Sequence, residues 1–167
     1  MRLFAALAAT WPPAEVRRLG GWTLRRDADA GNRVSAATLD GPDGDIPAAE
    51  AATLIVVAPP AALAPEAADE RAILCDAPLA RMREIWTAGG IGRSRQAVMA
   101  RAPGPKAYLF GRSGDAPAAC AFVACDREVA MLHALEVAPG FRRQGLGTAL
   151  TRAAAAYHYR LHPETDL

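Results

Sequence analysis

A net charge is almost missing from this chain. Nineteen Lys and Arg oppose eighteen Asp and Glu, for a net charge of +1. No strong field therefore draws in nucleic acid or an anionic membrane, and the arginines are scattered rather than striped. Cysteine is scarce too: Cys75, Cys120 and Cys125 form an odd set without Cys-x-x-Cys spacing. Cys120 and Cys125 fall five apart on an expected strand, hence on opposite faces, and do not suit a mutual bridge. Buried reduced thiols and a cytoplasmic location are expected. The three histidines have no ligand spacing with the cysteines, so no metal site is expected. No apolar run approaches the ~20 residues that span a bilayer. Large side chains are few beside the many alanines, and alanine buries little area, so the core must lean on those few.

The N-terminus has two readings. Met1-Arg2 followed by the apolar stretch 3–9 has the outline of a signal peptide. The apolar run is short, however, only one charge precedes it, and Leu3, Phe4 and Leu7 have helical spacing. A folded helix is the favoured expectation, ended by Trp11-Pro12-Pro13.

The rest of the chain reads as two blocks. In the first, Trp22-Thr23-Leu24-Arg25-Arg26 and the stretch 33–39 read as a strand pair. A short helix is expected over 46–52, and Thr53-Leu54-Ile55-Val56-Val57 reads as a buried strand. The proline-rich stretch 59–75 reads as a linker. In the second block, Asp76 is an expected N-cap, with Pro78 in the first turn. Leu79, Met82, Ile85 and Trp86 then form a core-facing helical stripe ended by Gly89-Gly90. A second helix is expected over 93–101. Strands over 106–112 and 118–125 precede a third, 129–137.

After that third strand comes Phe141-Arg142-Arg143-Gln144-Gly145-Leu146-Gly147-Thr148-Ala149-Leu150. A strand, a basic glycine-bearing loop and a helix start suit an anion. Unpaired N–H groups point out of the helix end, and the dipole adds about half a positive charge there. Gly145 and Gly147 let the backbone approach an oxyanion, and Arg142 and Arg143 add cations. A Walker loop is excluded because no Lys follows Gly147. A dinucleotide fingerprint is excluded because its third glycine position is Leu150. The bland alternative is a strand-to-helix turn with two solvated arginines.

The Arg-x-x-Gly-x-Gly spacing, preceded by Leu132-His133-Ala134-Leu135-Glu136-Val137-Ala138-Pro139, resembles the acyl-CoA loop of the GNAT superfamily of N-acetyltransferases. The resemblance implies an α+β fold, a mostly antiparallel central sheet flanked by helices. It implies direct transfer of an acetyl group from acetyl-CoA, as co-substrate, to a small-molecule or peptide amine. Leu135 and Val137 match the strand that contacts pantetheine or the thioester. Arg142, Arg143, Gln144, Gly145, Leu146, Gly147 and Thr148 match the pyrophosphate loop. Glu136 is the first candidate base, or else an edge carboxylate paired with Arg142 or Arg143. His133 is the second candidate, or else a satisfied half-buried histidine. Tyr157 is the candidate acid for the leaving thiolate, although it also falls on the helix face of Leu146, Leu150 and Ala153.

Residues 1–58 resemble the degenerate first half of double-GNAT proteins, 59–75 the linker, and 76–167 the acyl-CoA-binding half. The family continues after the loop helix with a strand, a helix and two more strands, on the order of fifty residues. Here Tyr157-His158-Tyr159-Arg160-Leu161-His162 looks like the family's last strand joined directly to the loop helix. Internal segments of both halves, and with them one wall of the pantetheine slot, are therefore expected to be missing. A non-catalytic acyl-CoA-binding scaffold is the alternative function. An unpaired sheet edge predicts self-association, such as a homodimer.

Overall fold

A computed structural model of the chain describes residues 2–27, 30–31, 35–39, 56–63 and 69–163. The N-terminal stretch forms the expected helix, α1 (Arg2–Thr10), which stops before Pro12-Pro13. Two strands follow, β1 (Glu15–Leu19) and β2 (Trp22–Arg26). They pair antiparallel around the two-residue turn Gly20-Gly21, with Leu19 opposite Trp22 and Gly20 at φ +57°. A short β3 (Ala37–Leu39) adds to the other edge of β2. The expected strand over 33–39 is thus present at its C-terminal end, and residues 33 and 34 lie outside the described residues. The helix expected over 46–52 and residues 53–55 of the expected buried strand lie outside them too. Val56 and Val57 are not in a strand and are exposed, at 83% and 65%. The stretch read as a linker carries two elements, α2 (Pro60–Leu63) and β4 (Ala72–Cys75).

The second block follows its expected order: α3 (Ala80–Ala88), α4 (Arg93–Arg101), β5 (Lys106–Ser113), β6 (Ala116–Asp126) and β7 (Val129–Val137). A 3-10 turn (Pro139–Phe141) leads to α5 (Leu146–Leu161). The N-cap of α3 is Leu79, not Asp76. Pro78 biases its predecessor toward extended backbone, and Leu79 is itself extended, so the helix starts later than expected.

Strands β4, β5, β6 and β7 make one antiparallel sheet in that order. The central strand β6 is buried on both faces from 118 to 125. One face packs Phe122 and Tyr108 against Trp11 after α1, Met82 and Trp86 of α3, and Val98 and Met99 of α4. The other packs Leu109, Ala121 and Val123 against Leu146, Leu150 and Ala154 of α5. The alanines on β6 let the helices approach closely, while a few large residues supply the apolar area. Truncating fully buried Trp86 or Phe122 to Ala would cost about 3–5 kcal/mol. Helix α1 is fixed to this sheet by Thr10, whose hydroxyl lies 2.9 Å from His133 Nε2, and by Trp11, which stacks on that imidazole at 4.8 Å. The N-terminal stretch is tied to α4 by an Arg101–Asp27 ion pair and by Arg95 Nε donating to Ala30 O at 3.2 Å.

The C-terminal strand expected over 157–162 is instead the last part of α5. The aromatic alternation there is overridden by a helical stripe. Leu150, Ala154 and His158 are spaced by four and all buried, and His158 Nε2 meets Glu128 O at 3.0 Å.

Candidate acyl-CoA site

The site begins with an irregularity in β7. Cys120 pairs with Glu136, but Phe122 pairs with His133, so Ala121 alone faces Ala134 and Leu135. This is a β-bulge, and Ala134 takes φ +51° to make it. The Trp86 indole N–H donates to Ala134 O at 2.7 Å, which satisfies a carbonyl at the bulge. Beyond the bulge the side chains are re-aimed. Val137 packs on the α5 side, and Leu135 Cδ2 lies 3.8 Å from where a Cβ on Gly147 would stand. Glu136 turns to the opposite side, against the end of α3.

The chain then makes the loop. Two residues in left-handed backbone shape it, Arg143 at φ +64° and Gly145 at φ +80°. Gly145 is the N-cap of α5 and offers no side-chain cap. The first closing bond is Ala149 N–H to Gly145 O at 2.9 Å. The N–H groups of Leu146, Gly147 and Thr148 thus have no intrahelical acceptor. A sixteen-residue helix places its positive dipole end at the same point. Leu146 itself is buried, so its backbone faces the loop while its side chain anchors the helix in the core. This donor set suits a pyrophosphate group, because several uncommitted N–H groups and cations converge on one exposed turn.

The two loop arginines differ. Arg142 folds back on β7: its Nε donates to Val137 O at 2.9 Å and its Nη2 lies 3.1 Å from Glu136 Oε1. Both readings of Glu136 therefore remain compatible with its place, since it is paired and also adjacent to Val137. Its side chain keeps 17% exposure. Arg143 is exposed and makes no ion pair among the described residues.

Sequence reasoning missed Arg71. Its Nη1 donates to Gln144 O at 3.1 Å, and Asp69 holds its guanidinium through Nε at 3.0 Å and Nη2 at 2.7 Å. That hydrogen-bonded pair keeps the Asp69 carboxyl below the usual carboxylate range. The contact joins residues 73 positions apart, and no local pattern announces it.

Other candidates are not brought to the loop. Tyr157 lies eleven residues into α5 from Leu146, about 16 Å along the axis at 1.5 Å per residue. Its hydroxyl is pushed above the usual tyrosine range by burial, with Cys125 and Asp76 as electrostatic neighbours at the opposite end of the sheet. The expected acid is therefore separated from Glu136 and Val137, because the helix it rides on leads away from them. His133 is buried in the α1 contact. The cysteines are free thiols. Burial raises Cys75 and Cys120, and pushes Cys125 up to about 11, so none is a ready thiolate.

The parts are an antiparallel sheet with helices on both faces, a bulged strand and a helix start without a side-chain cap. The sequence profile of the Acetyltransferase (GNAT) family matches residues 73–162, more than half of the chain. The chain belongs to this family. No curated protein and no solved structure matches it. Arg71 and Asp69 lie just outside the matched residues.

Proposed function

We propose that the protein is an acetyl-CoA-dependent N-acetyltransferase that moves an acetyl group directly onto a small-molecule or peptide amine. The observation that carries this reading is the junction of the bulged β7 with the uncapped start of α5. It sets Glu136 next to Val137 at the end of the strand that the loop joins to the free N–H groups of the helix start. The N–H groups of Gly145, Leu146, Gly147 and Thr148, with Arg143 and Gln144 beside them, hold the pyrophosphate. Leu135 and Val137 line the pantetheine and thioester end. Acetyl-CoA supplies the acetyl group: its C–S bond breaks as the new N–C bond forms, and CoA leaves as a thiolate that takes up the proton shed by the acylated nitrogen.

The chain's own work is to position and to move a proton. Glu136 takes the proton from the incoming ammonium, leaving the nitrogen lone pair free to attack. Arg142 holds one oxygen of that carboxylate, Oε1. Glu136 Oε2 has no protein hydrogen-bond partner among the described residues, so it is the oxygen left for the amine. No covalent enzyme intermediate is needed, in keeping with the buried thiols. The cytoplasm is the compartment we propose, on the reduced cysteines. No helix among the described residues is long and apolar enough to cross a membrane. The balanced charge argues against nucleic-acid or membrane partners.

The test is mass spectrometry of an amine panel incubated with the protein and acetyl-CoA. Acetylated product above the uncatalysed rate is expected, and no product across the panel counts against catalysis. One observation favours a second reading, a non-catalytic acyl-CoA-binding scaffold. Among the described residues β7 pairs with β6 alone, so a second wall for pantetheine is not in evidence. Calorimetric CoA binding without turnover would select that reading.

A further inference from the structure

Helix α3 ends in two glycines that serve different needs. Gly90 sits at φ +81°, a left-handed conformation that favours glycine, and a Cβ there would meet nothing within 4 Å. Gly89 is the reverse. Its φ of −82° and ψ of 8° suit any L-residue, so backbone geometry does not ask for glycine. What asks for it is Glu136. A Cβ on Gly89 would stand 2.5 Å from Glu136 Cδ, 2.6 Å from Oε2 and 2.7 Å from Cγ. The carboxylate thus lies directly on the Gly89 backbone, with Arg142 gripping its other oxygen.

We propose that Gly89 is a positioning residue for the reaction: its missing side chain is the space in which the Glu136 carboxylate is held beside the thioester end of β7. The inference rests on Glu136 acting as the base. Gly89 also pins the helix end, since its N–H donates to Ile85 O at 3.0 Å. That bond survives replacement by alanine. The clash in Gly89→Ala falls on the tip of a flexible side chain rather than on backbone. The fold therefore tolerates it by swinging the carboxylate away, which breaks its alignment and strains its contact with Arg142.

The two glycines supply their own control. Gly89→Ala, Gly90→Ala, Glu136→Gln and the double variant Gly89→Ala/Glu136→Gln are made in the full chain. Steady-state rates are measured with acetyl-CoA and an amine that the parent acetylates, across pH. Gly89→Ala is expected to lower kcat about 10- to 100-fold, short of the roughly 10²- to 10⁴-fold that outright loss of a general base costs, because the carboxylate is displaced and not removed. The KM for acetyl-CoA and the melting temperature should stay near the parent's, while the acid limb of the pH–rate profile shifts. Gly90→Ala should show the opposite pattern, a lower melting temperature with kcat retained. The double variant should be no slower than Glu136→Gln alone. Full kcat in Gly89→Ala together with a crippled Glu136→Gln overturns this proposal and leaves the base reading standing. Full kcat in Glu136→Gln overturns both. Additive losses in the double variant also overturn it. If no amine is turned over, the Glu136 carboxyl is titrated by carbon-13 NMR in the parent and both glycine variants. A midpoint moved by Gly89→Ala and not by Gly90→Ala supports the proposal, and an unmoved midpoint overturns it.

Discussion

Replacing Gly145 with valine isolates what the loop backbone does. Gly145 stands at φ +80°, ψ 2°, at the entry to α5. Crowding is not the obstacle, because a Cβ there would lie 3.9 Å and 4.0 Å from the Arg71 guanidinium nitrogens, an ordinary contact. The cost is conformational. Left-handed backbone disfavours a side chain by about 1–2 kcal/mol, and branching at Cβ adds to it. Either the variant holds the loop and loses about that much stability, or the loop relaxes and re-aims the free N–H groups of Leu146 and Gly147. In both cases CoA loses its approach to the backbone. Where the loop relaxes, CoA must restore the left-handed backbone against that cost, so binding weakened by about 5- to 30-fold is expected, since 1.4 kcal/mol is a factor of ten. Arg143→Ala removes one exposed cation without altering the loop. Its effect should be about 1 kcal/mol or less and should shrink at high salt. Calorimetry with CoA measures the affinities, and urea unfolding followed by circular dichroism measures the stabilities. Parent-like CoA binding by Gly145→Val refutes the phosphate-loop assignment and the function built on it.

Four further outcomes follow from the same contacts. Thr10→Val keeps the side-chain volume but removes the hydroxyl beside His133 Nε2 in a fully buried contact. A loss of about 1–3 kcal/mol in urea unfolding is expected, and no change would deny that this contact fastens α1. His158 is 1% exposed, and burial first, then neighbouring His162, hold its pKa below 6.5 despite the opposing Glu128 carbonyl. Its neutral form is the one that fits the fold, so its contribution is full above about pH 6.5 and is lost as pH falls through the lower folded value. Unfolding midpoints across that window should fall for the parent and flatten in His158→Gln, and parallel curves would contradict the sign. Tyr157→Phe should leave kcat within about twofold, far from the 10²-fold or more expected of a general acid, and a loss of that size would return Tyr157 to the mechanism. Light scattering at micromolar concentration should show a dimer, because the second edge of β7 is unpaired among the described residues, whereas a monodisperse monomer removes that expectation.

What the sequence revealed was local, and what it hid was distant or faintly patterned. Strands β5, β6 and β7, the loop and the start of α5 are read from contiguous residues, because a β-branched or apolar run and a Gly-x-Gly turn act within a few positions. Strand β1 has no such signature. All five of its residues are exposed, so Glu15-Val16-Arg17-Arg18-Leu19 shows no buried face to betray it. Strand β4 has only four residues and follows a proline-rich stretch. At the chain end, aromatic alternation at 157–162 imitates a strand, but tertiary burial of Ala154 and His158 decides for helix. The Gly89-Gly90 pair reads in sequence as a helix stop and nothing more. Only the fold shows that one glycine serves the turn and the other makes room for a side chain 47 positions away.

The bulge explains why these parts belong together. In a regular strand, His133, Leu135 and Val137 would share one face, and Ala134 and Glu136 the other. A regular β7 that buried His133 against Trp11 would then carry Glu136 to the α5 side, away from α3. The extra residue at Ala134–Leu135 resets the alternation. It lets His133 lock α1 onto the sheet while Glu136, three residues later, faces the same side and meets Gly89. The same reset leaves Leu135 and Val137 toward α5 and the loop. One inserted residue thus divides β7 into a structural part, fastened by Thr10 and Trp11, and a part whose alternate side chains face the candidate acceptor side and the phosphate loop. Trp86 ties the two together, since its ring fills the core beneath α3 while its N–H holds the bulge carbonyl.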